Sequence, residues 1–238
     1  MTALLEVGDL GYRYADGTVA LDGVSFSLSA GERVALLGPT GSGKSTLLQH
    51  LNGLLRPHQG VVTYDGTPVG DANVAAVRRA VGLVFQDPED QLFLPTLIED
   101  VAFAPLNEGQ ERSEARHLAL ATLEELGLAD AAPRPAHHLS GGEKRLAALA
   151  TVLVSRPRVL VLDEPTGDLD ARSRGRLVGL LRRRPETLLV ATHDLDVARA
   201  LCARALVLLD GALVEDGPLA EVLADTERLE GWGLIGPL

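Results

Sequence analysis

The sequence predicts an α/β fold: a mainly parallel sheet covered on both faces, an N-terminal antiparallel β region and an inserted helical stretch. Three observations predict it. RVALL (33–37), RVLVLDEP (158–165) and TLLVATHD (187–194) are short Val/Leu runs that end in a Gly-rich loop, a carboxylate pair and a His-Asp pair. Continuous apolar runs of that length read as strands buried on both faces. They alternate with stretches of helical periodicity, as parallel sheets with crossover helices require. The first thirty residues carry short strand patterns separated by Asp-Gly punctuation, which reads as an antiparallel start.

The elements follow in order. LLEV (4–7) and VSFSLS (24–29) read as strands, with turns at ADG (15–17) and LDG (21–23). RVALL ends in GPTGSGKST and opens into a helix, TLLQHLNGL. VVTYDGTP (61–68) is a strand with an Asp-Gly turn, and RRAVGLVFQ (78–86) ends in a second buried strand. From about 96 to 155 apolar residues recur at three- and four-residue spacing, interrupted by a Pro-bearing loop, AAPRPAHH (131–138), before LSGGEKRLAALATVL. ARALVLLDGALVEDG closes on a hairpin around Asp210-Gly211. The chain contains no internal repeat and no long linker, so residues 1–238 read as a single domain with a helical insertion at about 88–155.

Composition narrows the function. A net charge of −11 on 238 residues argues against nucleic acid as a partner, since phosphate attraction rests on excess Lys and Arg. No run approaches 18 apolar residues, so no direct membrane span is expected. A lone Cys202 fits a reducing compartment and reads as a small buried hydrophobe. The N-terminus lacks a basic n-region and does not read as a signal peptide. The expectation is a cytoplasmic protein.

Gly38-Pro39-Thr40-Gly41-Ser42-Gly43-Lys44-Ser45 satisfies G-x-x-x-x-G-K-[ST] between a strand and a helix that continues through Thr46. Glycines let successive backbone N–H groups point at an anion at the helix N-terminus. Lys44 would reach β- and γ-phosphate oxygens, and the Ser45 hydroxyl would ligate Mg²⁺. Asp163 and Glu164 end an apolar strand; Asp163 would hold Mg²⁺, and Glu164 would accept a proton from the water attacking the γ-phosphate. Leu139-Ser140-Gly141-Gly142-Glu143 opens a helix as a Ser-x-x-Glu capping box. His137-His138 lack a ligand pattern for metal.

At this point the chain resembles the ATP-binding cassette (ABC) ATPases, matching their motifs in order: phosphate loop, Gln86 after a strand, LSGGE, VLVLDEP, GDLD (167–170) and ATHD with His193. The resemblance implies a P-loop NTPase core binding ATP and Mg²⁺, and a head-to-tail dimer, with itself or with a similar ATPase subunit. Ser140, Gly141 and Gly142 would then face the nucleotide of the opposite subunit. Gln86 would touch Mg²⁺ and the attacking water, His193 the γ-phosphate, and Asp170 would link the two sites. Tyr14, with Tyr12 as the fallback, would stack on adenine. The chain departs from the family where Leu146 stands in place of the usual Arg three residues after Glu143, with Arg145 one position earlier, and the role of Arg145 stays open.

GLVFQDPEDQLF (82–93), IEDVAFAPLN (98–107) and RPAHHLSGGEKR (134–145) resemble the energy-coupling-factor and cobalt/nickel importer ATPases. The resemblance implies a motor subunit peripheral on the cytoplasmic face of the membrane. A transmembrane permease component would dock near Gln86 to Phe93, where Asp87, Glu89 and Asp90 could receive a basic helix. A C-terminal stretch bearing Trp232 has room for one short amphipathic segment.

Overall fold

The computed structural model describes residues 3–236. In chain order its elements are β1 (Ala3–Arg13), β2 (Val19–Ser29), β3 (Arg33–Leu37), α1 (Lys44–Leu51), β4 (Gln59–Tyr64), β5 (Thr67–Pro68), α2 (Val74–Ala80) and β6 (Val81–Val84). There follow α3 (Leu97–Asn107), α4 (Arg112–Glu125), α5 (Gly141–Leu153), β7 (Val159–Asp163), α6 (Ala171–Arg182), β8 (Thr187–Ala191) and α7 (Leu195–Leu201). The chain closes with β9 (Arg204–Leu209), β10 (Ala212–Pro218), α8 (Leu219–Val222) and α9 (Thr226–Gly231). Two compact units emerge. Met1–Leu83, Arg158–Glu164 and Arg184–Leu238 form the first; Val84–Pro157 and Pro165–Arg183 form the second.

The first unit holds an antiparallel sheet of order β2-β1-β4-β5 and a six-stranded sheet of order β10-β9-β3-β8-β7-β6. In the latter β3 runs parallel to β8 and β9, and β7 parallel to β8, while β10 returns antiparallel to β9. The central strands β7 and β8 are buried at every position, as a parallel sheet covered on both faces demands. Two hairpins turn on Asp65-Gly66 and Asp210-Gly211, where both residues have positive φ. That is the type I′ geometry whose twist matches the strands.

One local expectation is corrected. Asp22-Gly23 is not a turn between elements: β2 continues through it, and the β1–β2 pairing shifts register between Tyr12↔Leu21 and Leu10↔Val24. Gly23, at φ +65°, supplies the irregularity. RRAVGLVFQ does end in a buried strand, and residues 78–80 close the helix before it. In α2 only Val77 is buried, and the strand starts where the four consecutive buried residues of β6 begin. The C-terminal stretch forms α9, and Trp232 and Leu234 pack on the core made by Ala198, Ala205, Leu219 and Val222. The Arg228 guanidinium lies 4.8 Å from the centre of the Trp232 ring. Cys202 packs against the same core, and burial pushes its thiol up to about 12.

The second unit carries α3, α4, α5 and α6. In α4 the buried residues Ala115, Ala119 and Leu123 fall every four positions, one stripe of a helix. Asp100 of α3 is buried, and its Oδ1 accepts the backbone N–H groups of Phe93 and Leu94 at 3.0 and 2.9 Å. Burial raises this carboxyl above the ordinary aspartate range.

Candidate active site

In the first unit, the loop from Gly38 to Ser45 leaves the end of β3 and wraps the start of α1. Two glycines there are demanded by packing. A Cβ on Gly38 would stand 2.3 Å from the Leu208 carbonyl oxygen, and one on Gly43, at φ +102°, 2.4 Å from that of Ala20. Thr40 and Gly41 are exposed at the tip of the loop, between the half-buried Pro39 and the buried Ser42. No side chain caps α1, and no acidic residue lies in its first turn. Its N-terminal N–H groups therefore remain available to an anion.

The Lys44 ammonium, 8% exposed, donates to the carbonyl oxygens of Gly38 and Pro39 at 2.7 and 2.9 Å. Burial lowers its pKa, and the charges of Glu164 and Asp163 oppose that shift. The Ser42 hydroxyl is buried without a hydrogen-bond partner among the described residues. A glycine cradle, an uncapped helix start, a buried cation and an orphaned hydroxyl together fit a polyphosphate.

The carboxylates arrive from β7. Asp163 sits in register with Ala191 of β8, and the Glu164 N–H donates to the Ala191 carbonyl at 2.9 Å. Both carboxylates are buried, and Glu164 holds a left-handed backbone at φ +43°. His193 lies two residues beyond β8. Its backbone N–H donates to Glu164 Oε1 at 3.1 Å, and its Nδ1 lies 2.9 Å from the same oxygen. Because β8 stands between β3 and β7, the phosphate loop, Glu164 and His193 share one edge of the sheet, the carboxyl ends of its parallel strands.

Ser45 and Asp163 supply hard oxygen donors, the chemistry Mg²⁺ prefers. Among the described residues no cluster of three His, Cys, Asp or Glu side chains could hold a metal. The donor set thus fits an ion that takes part of its shell from substrate phosphates rather than from an all-protein cage.

Tyr14, 41% exposed, shares a 2.8 Å hydrogen bond between its hydroxyl and Thr46 Oγ1 at the start of α1. Tyr12 is committed to other rings: it stacks on His58, with centroids 4.8 Å apart, and meets His50 and Tyr14 edge-on. Of the two tyrosines, Tyr14 presents the more open ring.

The second unit carries the other motif residues. Ser140 caps α5 in a complete capping box, accepting from Glu143 N–H while its own N–H donates to Glu143 Oε2 at 2.8 Å. The Ser140 hydroxyl also donates to that carboxylate at 2.7 Å, which holds Glu143 below its ordinary pKa. Ser140 and Gly141 are exposed. A Cβ on Gly142 would stand 2.7 Å from Ser173 Oγ. Asp170 caps α6, accepting from Arg172 N–H, Ser173 N–H and the Ser173 hydroxyl, and these bonds, led by the Ser173 backbone, lower its pKa. Ser173 escaped sequence reading, although an Asp-x-x-Ser spacing at a helix start was its signal. The side chain of Arg145 donates to the carbonyl oxygens of Gln86 and Gly167.

A groove of about 430 Å³ is lined by Glu89, Leu92, Phe93, Pro135, His137 and Lys144, among others. Phe93 is 62% exposed and meets Phe103 edge-on at 5.3 Å. The acidic loop is partly committed: Glu89 pairs with Lys144 at 2.5 Å, and Asp87 accepts the Glu89 N–H at 2.9 Å. No helix among the described residues is long and apolar enough to cross a membrane.

Residues 21–167 match the family model for the ABC transporter. A putative ABC transporter ATP-binding protein of Gloeobacter violaceus is 51% identical, covering 98% of this chain and 97% of that protein. The energy-coupling factor transporter ATP-binding protein EcfA of Methanocaldococcus jannaschii is 42% identical over 95% of this chain and 83% of its own length. Among solved structures, cbiO1 from Clostridium perfringens, part of the ABC transporter complex cbiONQ, superposes with a TM-score of 0.82 at 36% identity, over all of this chain and 97% of the other. The dimeric ATP-binding cassette MJ0796, in a post-hydrolysis state with ADP and Pi, gives 0.82 at 29% identity over 90% and 98%. With a phosphate-loop core and these likenesses along nearly its whole length, the chain belongs to the ABC transporter family, as one of its cassette ATPases.

Proposed function

We propose that this chain is the ATP-hydrolysing motor subunit of an energy-coupling-factor type importer, one cassette over residues 1–238 with a helical insertion. The observation that carries the hydrolytic part is the Glu164–His193 contact at the strand ends that also bear Lys44. ATP is the substrate. Lys44 and the N–H groups of residues 38–46 hold its phosphates, and Tyr14 stacks on the adenine.

Glu164 accepts the proton as water adds to the γ-phosphorus and ADP leaves with the bridging oxygen's electron pair. His193 holds the accepting oxygen in place and contacts the γ-phosphate. Ser45, Asp163 and Gln86 would hold Mg²⁺, which when bound neutralises the charge that builds on the transferring phosphoryl group. Ser140, Gly141 and Gly142 present an exposed helix start to the nucleotide of a second subunit, identical or similar, and Asp170 couples the two sites. The dimeric MJ0796 cassette supports that arrangement.

A transmembrane permease docks near Gln86 to Phe93, at the groove lined by Glu89, Leu92 and Phe93. Phe93 and Leu92 offer it an apolar seat, and Asp87, Glu89 and Asp90 offer an acidic rim. The protein then works peripherally on the cytoplasmic face. EcfA supports the energy-coupling-factor branch, and a transition metal stands ahead of a vitamin as the proposed cargo, the QDPEDQLF and HHLSGGEKR stretches occurring in importers of both kinds. Deleting the ATPase and measuring uptake of radiolabelled nickel, cobalt and biotin tests this. Loss of metal uptake alone is expected, and unimpaired uptake of all three would overturn the assignment of cargo.

A further inference from the structure

We propose that Arg145 is a positioning residue that ties the Gln86 segment and the GDLD turn to the signature helix, so that these parts of the second unit respond together. It rests on the reading of Gln86 and Asp170 as nucleotide-facing residues. Arg145 lies in the second turn of α5, five residues after Ser140, and is only 9% exposed. Its guanidinium donates one N–H to the Gln86 carbonyl and another to the Gly167 carbonyl at 3.3 Å. These acceptors are far apart in sequence, 59 and 22 residues from Arg145. A planar fork can serve two carbonyls on separate segments at once; a lysine ammonium is a compact charge without that fixed fork.

The neighbours of Arg145 on α5 repeat the pattern. Lys144 reaches the same Gln-bearing loop through Glu89. On the other side, the bare Gly142 lets Ser173 come close, and the Ser173 hydroxyl donates to Asp170 Oδ2 at 2.8 Å. The first two turns of α5 thus contact both loops. A displacement of Gln86 pulls on α5 through Arg145, and α5 is tied to the turn that ends in Asp170.

The test compares Arg145→Lys and Arg145→Met in the full chain by hydrogen–deuterium exchange, together with steady-state hydrolysis and thermal melting. Exchange should rise together in residues 85–91 and 166–170, where Asp90 and Leu169 donate to Asp87 and Thr166 carbonyls. It should stay unchanged in α4 and in the first unit. The kcat should fall at least tenfold in Arg145→Met and less in Arg145→Lys, with KM for ATP within twofold of wild type, because the phosphate loop is untouched. A response in only one segment, an unchanged kcat, or a general rise in exchange with a matching loss of melting temperature would overturn the proposal. Arg145→Lys keeps the test open if Arg145→Met does not fold. Gln86→Ala and Asp170→Ala, measured in parallel, separate the two layers. If both hydrolyse at the wild-type rate, the roles given to those residues fail, while the exchange experiment still decides whether Arg145 joins their segments.

Discussion

Glu164→Gln isolates the basicity of one carboxylate. The amide keeps an Oε1 acceptor for the His193 backbone N–H, which now lies at 3.1 Å, and Gln tolerates the φ of +43° about as well as Glu does. Geometry should therefore survive while the proton acceptor is lost. A positioned general base contributes roughly 10²–10⁴ in rate, or about 2.7–5.4 kcal/mol at ~1.36 kcal/mol per decade. Phosphate release should slow by that factor, ATP binding should persist, and an ATP-bound dimer should accumulate on size-exclusion chromatography. A second readout follows from charge. Glu164 is the stronger of the two carboxylates opposing the burial that depresses Lys44. Removing it lowers the Lys44 pKa further, so as pH rises the variant should lose ATP affinity before wild type does. Turnover at the wild-type rate would refute the assignment of Glu164, and superimposable alkaline binding curves would refute its coupling to Lys44.

Other expectations follow from the same geometry. Ser140→Arg should abolish hydrolysis while leaving nucleotide titration of the monomer unchanged, apart from about 1 kcal/mol of stability lost with the capping box; weakened monomer binding would contradict a site shared between subunits. Reversing Asp87 and Asp90 to Lys should reduce co-purification with the permease, less so at high salt, where exposed charges are screened, with little effect on isolated hydrolysis; an intact complex at low salt would retire the docking model. The Asp100 carboxyl, raised by burial, disfavours its ionised form in the native state. Its penalty is present above the folded pKa and vanishes as pH falls toward the unfolded value of 3.8. Asp100→Asn keeps an acceptor for Phe93 and Leu94, so the stability of wild type relative to Asn should decline from pH 4 to pH 7 in urea melts; a constant difference across that range would count against it.

Much of this molecule was legible in its sequence because the signals are local. A Gly-rich loop between strand and helix, a Ser-x-x-Glu box and two Asp-Gly hairpins each depend on a few adjacent residues, and each folds as its residue types dictate. Unbroken Val/Leu runs likewise announced strands buried on both faces. What failed locally failed for tertiary reasons. Asp22-Gly23 carries turn chemistry, yet pairing with β1 draws it into a strand as an irregularity of register. The boundary at Val81 was not legible either: Arg78 and Arg79 close a helix, and only the burial of all four residues of β6 marks where the strand begins.

Tyr14 was already preferred to Tyr12 in the sequence, and the structure adds that His50 and His58 lie against the Tyr12 ring; the two carbonyls that Arg145 reaches are distant in sequence and could not be read there. The largest decision was strand order. Chain order runs β3, then β7, then β8, but in space β8 lies between the other two. The β7–β8 pairing brings the His193 N–H onto Glu164, 29 residues earlier in the chain, and the β3–β8 pairing sets the strand that ends in the phosphate loop beside them. Sequence spacing records how far apart two strands are along the chain. Which of them become neighbours is set by backbone pairing and by the crossover helices that must cover the sheet.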